Sequence, residues 1–142
     1  SNGNTPTAYT AKVEVEIKAE EKEIVVTPNA NIDDIKHEAN QNLYMERADG
    51  SYLENNISKT GDKVWINDVQ YTVVKMGDCS GDGSVNIIDM ALIKRDILDK
   101  QKLEGVYYKA AKVGTNIDGK IDIIDMAYIK RQILGKEQLT IR

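Results

Sequence analysis

Two patterns of apolar and polar positions divide the chain. Over residues 9–18, Tyr9, Ala11, Val13, Val15 and Ile17 alternate with Thr10, Lys12, Glu14, Glu16 and Lys18. A period of two with one polar face predicts a strand on a half-buried sheet. Glu23–Thr27 predicts a second short strand, ended by Pro28. Asn31 is a good helix N-cap, Asp33 and Asp34 suit a first turn, and Ile32, Ile35 and Ala39 line one face, so a helix through Gln41 is expected. Leu43–Arg47, Lys63–Ile66 and Val69–Val74 read as three further strands, the last two joined as a hairpin over Asn67-Asp68, with turns at Ala48–Ser51 and Lys59–Asp62. The order β-β-α-β-β-β predicts a small α+β, β-rich sheet module over residues 9–76, with Trp65 as a candidate core anchor. Residues 1–8 read as a linker or expression remnant.

Beyond residue 77 the period becomes helical. Met90, Ile93, Ile97 and Leu98 form one apolar stripe with Lys94, Arg95 and Asp99 outside it; Met126, Ile129, Ile133 and Leu134 repeat the stripe with Lys130 and Arg131 outside. Leu103–Ala111 reads as a short connecting helix, with Tyr107 and Ala111 placed to pack against both lobes. The two long helices belong to a duplication: residues 82–98 recur, mostly unchanged, 36 positions later (118 minus 82) at 118–134. Two copies are too few for a solenoid, so a two-lobed unit about a pseudo-twofold axis is expected.

Each copy opens with a candidate metal loop. Calcium loops of the EF-hand type take oxygen ligands from positions 1, 3, 5, 7, 9 and 12, with glycine at 6. In the first loop Asp78, Ser80, Asp82, Asn86 and Asp89 fall on positions 1, 3, 5, 9 and 12, Ser84 offers its carbonyl at 7, and Gly83 sits at 6. Val85 at position 8 is expected to point inward. Counting back from Asp125 at 12, the second loop places Asp122 at 9, Lys120 at 7 through its carbonyl, Gly119 at 6, Asp118 at 5 and Asn116 at 3. Position 1 then falls on Gly114, which has no side-chain oxygen, so two calcium sites are expected and the second is the weaker. A single Asp/Gly-rich stretch is also an ordinary surface turn; a full loop followed by an amphipathic helix, and then repeated, favours metal.

A β-branched stretch, Tyr71–Met76, leads into the first loop where an EF-hand has an entering helix, and position 12 is Asp in both copies. Loop plus exiting helix, twice, with Gly-Asp-x-x-Gly-Asp-Gly at the start and Lys-Arg in each helix, resembles the type I dockerin module of cellulosome-type assemblies. The resemblance covers residues 77–139, with the dockerin domain assigned to 77–142. It implies an all-α dockerin after the sheet module, two bound Ca2+ ions, and a non-catalytic role: calcium-dependent attachment of a parent protein to a cohesin on a scaffold outside an anaerobic, polysaccharide-degrading bacterium. Carried over by motif, the partner-facing residues are Ile87, Ile88, Lys94 and Arg95 and their twins Ile123, Ile124, Lys130 and Arg131. The near identity of the two sets implies binding in two orientations. The resemblance departs at Ser80, at Gly114 and in two extra residues before the second loop. A weaker likeness, resting on position alone, compares residues 9–76 with the X-type modules that adjoin some dockerins.

Composition adds exclusions. The chain is 41% hydrophobic and 30% charged, which favours a folded chain over disorder. A net charge of −4 gives no electrostatic footprint for nucleic acid, and no apolar run is long enough for membrane insertion. Cys79 alone cannot form an internal disulfide and is expected to be a tolerated exposed residue. His37 is expected on the exposed side of its helix, and the glutamates near the N-terminus read as a solvated face, so no catalytic constellation is predicted. The competing readings are an EF-hand-like calcium sensor and a surface adhesion module. A sensor uses entering helices and a Met-rich groove, and this chain has 4 Met and a strand before its first loop.

Overall fold

The computed structural model describes residues 12–115 and 119–141. Strand β1 (Val15–Lys18) pairs antiparallel with β2 (Glu23–Val26), and β2 lies parallel to β5 (Val69–Lys75). On its other edge β5 pairs antiparallel with β4 (Lys63–Ile66), which pairs with β3 (Tyr44–Glu46), giving the sheet order β1-β2-β5-β4-β3. Helix α1 (Ile32–Ala39) lies between β2 and β3 in the chain. Its start follows the sequence chemistry: the Asp34 amide donates to Asn31 Oδ1 at 2.9 Å and the Asn31 amide to Asp34 Oδ2 at 2.8 Å, a reciprocal cap. The β4–β5 hairpin turns on Asn67 and Asp68, both at positive φ (50° and 66°), as a tight hairpin of this hand requires.

Alternation along the central strands sends side chains into two cores. Ile24, Val26, Val64, Tyr71 and Val73 meet Ile32, Ile35, Leu43 and Met45 under α1. Val74 and the half-buried Val25 join Ile93, Ala110, Ala111, Val113, Ile121, Ile129 and Leu139 in the second core. That core is enclosed by α2 (Ile87–Ile97), α3 (Gly105–Ala111) and α4 (Ile123–Ile133); α2 packs on α4, and α3 on β5.

This arrangement corrects the expected fold class. The chain is not a small sheet module followed by a separate all-α unit. Residues 15–75 build a five-stranded mixed sheet with a helix on one face. The described segment beyond residue 76 is helical, but its core is completed by the sheet's second face. The physical reason is size: helices of 11, 7 and 11 residues cannot enclose a core by themselves, and the sheet supplies the missing wall. Hydrogen bonds across the join, Thr60 N–H to Asp78 Oδ2 (3.0 Å) and Ile141 N–H to Glu14 Oε1 (3.0 Å), fix the two parts together.

Smaller departures have local causes. Strand β1 begins at Val15; Val13 is exposed, and the expected positions 9–11 lie outside the described residues, as does the linker at 1–8. Trp65 is half-buried and leans on exposed Tyr44, ring centroids 5.3 Å apart, because its strand position points away from the α1 core. Leu98 and Leu134 are exposed, since each caps the end of its helix beyond the packed turns. Cys79 is buried in the second core, its thiol donating to the Asp89 carbonyl at 3.4 Å, and burial beside Asp89 and Asp78 pushes its pKa well up, so it is an inert structural thiol. His37 is exposed, as expected.

Candidate metal centre and docking face

The first loop folds around Asp78. Its carboxylate is fully buried and accepts four backbone amides: Gly81 and Asp82 on Oδ1, both at 3.1 Å, and Thr60 and Gly83 on Oδ2, both at 3.0 Å. Asp89, also fully buried, accepts the Ser80 amide on Oδ1 (3.0 Å) and the Asn86 amide on Oδ2 (2.9 Å). Exposed Asp82 accepts the Ser84 amide (2.9 Å), and Asn86 caps α2 through Ile88 (2.9 Å). Gly83 has φ 90°, and a Cβ there would lie 2.7 Å from Ile57 Cγ2, so only glycine fits the turn.

Carboxylate oxygens of Asp78, Asp82 and Asp89 lie within 4.8 Å of one another. Burial, with repulsion from Asp89 and Asp82, pushes Asp78 up to about 6 against the pull of its amide donors; burial raises Asp89 as well. Two buried carboxylates and a third close by are costly without a cation, and all-oxygen donors suit a hard divalent ion such as calcium. The residues present therefore fit calcium in this loop.

The sheet module holds this loop by contacts that the loop motif does not reveal. Buried Lys75 donates from Nζ to the carbonyls of Ser58 (2.9 Å) and Gly83 (2.8 Å); burial lowers its pKa although Asp78, Asp62 and Asp82 oppose the shift. Thr60, whose amide reaches Asp78, is fixed in turn by hydrogen bonds of its hydroxyl with the Lys75 backbone. Arg47 pins the segment before Thr60, donating to Asp62 Oδ2 (2.9 Å), the Ile57 carbonyl (2.8 Å) and Glu54 (2.7 Å). One signal was available: Lys75 shares the parity of Tyr71 and Val73, which places a lysine on the apolar side of β5.

In the second loop Asp125 is buried, accepting the Gly114 amide on Oδ1 (2.7 Å) and the Asp122 amide on Oδ2 (3.0 Å). Asp122 caps α4 through Ile124 as Asn86 caps α2, and Lys120 is exposed. Lys112 Nζ stands 3.8 Å from Asp125 Oδ2. Asn116 and Asp118, the expected ligands at positions 3 and 5, lie outside the described residues.

The helices start with exposed isoleucines. Ile87 and Ile123 are 74% and 73% exposed, Ile88 and Ile124 53% and 40%. Lys94, Arg95 and Lys130 are exposed, whereas Arg131 is half-buried, bonded to Glu137 (2.9 Å) and stacked 4.6 Å over the Tyr128 ring. A strand leading into a metal loop, an exiting helix with bare isoleucines at its start, and a second copy packed against the first are thus on one body.

Residues 76–134 match the family of the Dockerin type I domain. This segment is a dockerin module. Dockerins are non-catalytic docking domains that bind cohesins and depend on calcium. No curated protein and no solved structure matches the chain. Among the described residues, no helix is long and apolar enough to cross a membrane.

Proposed function

We propose that this chain attaches its parent protein to a cohesin-bearing scaffold outside the cell, using residues 77–142 as the docking domain and residues 9–76 as a companion module of the X type. The observation that carries the reading is the twin pair of bare isoleucines, each pair beginning a helix whose cap closes a candidate calcium loop. Calcium in the first loop is held by Asp78, Ser80, Asp82, the Ser84 carbonyl, Asn86 and Asp89, and it fixes the start of α2 and hence Ile87 and Ile88. The companion module acts as a brace: Lys75 and Thr60 grip the loop from behind. A sensor that opens a groove on binding calcium is disfavoured by that grip, which leaves the first loop no entering helix to swing.

The partner-facing set is Ile87, Ile88, Lys94 and Arg95, with Ile123, Ile124, Lys130 and Arg131 as its twin. A half-turn of the module exchanges the two sets, so one cohesin surface meets nearly the same chemistry in either orientation. Capture of the chain on immobilised cohesins, with calcium and with EDTA, tests the reading. Capture by a cohesin in calcium and its loss in EDTA are expected; capture that EDTA does not alter would refute calcium-dependent docking.

A further inference from the structure

The two loops close on their last carboxylate alike, but with differently spaced residues. Asp89 takes the Ser80 amide on Oδ1 and the Asn86 amide on Oδ2; Asp125 takes the Gly114 and Asp122 amides in the same two places. Asn86 and Asp122 are 36 positions apart (122 minus 86), as are Asp89 and Asp125, yet Ser80 and Gly114 are 34 apart (114 minus 80). The second loop therefore holds two extra residues after Gly114, and Gly114 occupies the place of loop position 3, not position 1. One residue earlier, Cys79 corresponds to Val113, and both are buried at 2% in the same core. One residue earlier again, Asp78 corresponds to Lys112.

A lysine thus stands where the first loop has a fully buried carboxylate. Its side chain is only 15% exposed, and its Nζ lies 3.8 Å from Asp125 Oδ2, the oxygen matching the one on Asp89 that accepts Asn86. In the first loop the acidic side chains converge and need a cation from solution. In the second loop the chain brings its own. We propose that the Lys112 ammonium takes the place of calcium in the second loop, so that the protein binds a single calcium ion, in the first loop. Replacing a carboxylate by an ammonium removes a ligand and sets a positive charge where the ion would sit, so calcium would meet repulsion as well as a poorer donor set. The second lobe is then held folded at any calcium concentration, and calcium control falls on the first. The inference rests on the first loop being a calcium site.

Native mass spectrometry of the full chain in millimolar calcium counts the ions directly. One ion is expected for the wild type, none for Asp78→Asn, and two for Lys112→Asp. Gly114→Asp, with Lys112 intact, is expected to keep one. Two ions on the wild type, one retained by Asp78→Asn, or two on Gly114→Asp would each overturn the proposal. Should Lys112→Asp fail to fold by circular dichroism, the other three counts still decide; folded but holding one ion, it contradicts the assignment of Lys112 to position 1. No ion on either the wild type or Lys112→Asp would instead sink the calcium reading of the first loop itself.

Discussion

At the scale of single residues, the first loop depends on groups far from it in sequence. Lys75 donates its ammonium protons to two carbonyls, one of them Gly83 inside the loop, and Lys75→Met keeps the stem but strands both acceptors. Removing a charged donor costs about 1.5–3 kcal/mol, so Lys75→Met is expected to lower stability by that order in urea denaturation and to weaken calcium binding in calorimetric titration. Unchanged values would show that the brace is idle. Gly83→Ala forces a side chain onto Ile57 at a positive φ. Strain of this kind costs about 1–3 kcal/mol, and the same titration is expected to show weaker calcium binding. The convergence of Asp78, Asp82 and Asp89 was legible because a calcium loop has a fixed spacing; Lys75, Thr60 and Arg47 were not, because nothing local joins residues 47–60 to residue 78. Cys79 was misjudged for the same reason: its loop position is non-ligating, but the core that covers it is built from α3 and α4.

At the scale of elements, the duplication extends past the helices. Asp96 Oδ2 accepts the Leu103 amide at 2.8 Å, and its counterpart Gln132 Oε1 accepts the Leu139 amide at the same 2.8 Å. Each long helix thus ties down the chain seven residues beyond the side chain that accepts. Asp96 is buried, so Asp96→Ala is expected to cost more, about 1.5–3 kcal/mol, than Gln132→Ala at about 1 kcal/mol; denaturation in saturating calcium compares them, and equal losses would show that the two ties are equivalent. Strands β2 to β5, the caps and the hairpin were readable from alternation and turn chemistry. The parallel pairing of β2 with β5 was not, since it is set by a connection through α1, β3 and β4 and not by either strand's own residues. Leu98 and Leu134 fit the helical period but lie past the last packed turn, where periodicity stops being informative.

At the scale of the whole molecule, two cores share one sheet. The change of period from two to 3.6 follows the passage from sheet to helices, but it carried no information on the wall they share, because Val25 and Val74 look like ordinary strand residues. In the proposed reading, calcium acts on the second core through the first loop. An ion present at about a thousand times its dissociation constant stabilises the folded state by about 4 kcal/mol. EDTA is therefore expected to lower the melting temperature and reduce helical circular dichroism, with recovery on adding calcium, while the α1 side of the sheet persists. A melting curve indifferent to EDTA would separate calcium from the fold. The proposed docking face is built on the isoleucine pairs, and burying one exposed isoleucine on a partner is worth about 1.5–3 kcal/mol. The most direct measurement is calorimetric binding of a cognate cohesin, in calcium, to three folded variants: Ile87→Asp with Ile88→Asp, Ile123→Asp with Ile124→Asp, and all four together. Each pair alone is predicted to leave binding nearly intact through the other face, and the fourfold variant to lose it; a fourfold variant that binds like the wild type would contradict the docking face, and loss on changing one pair alone would contradict its use in two orientations.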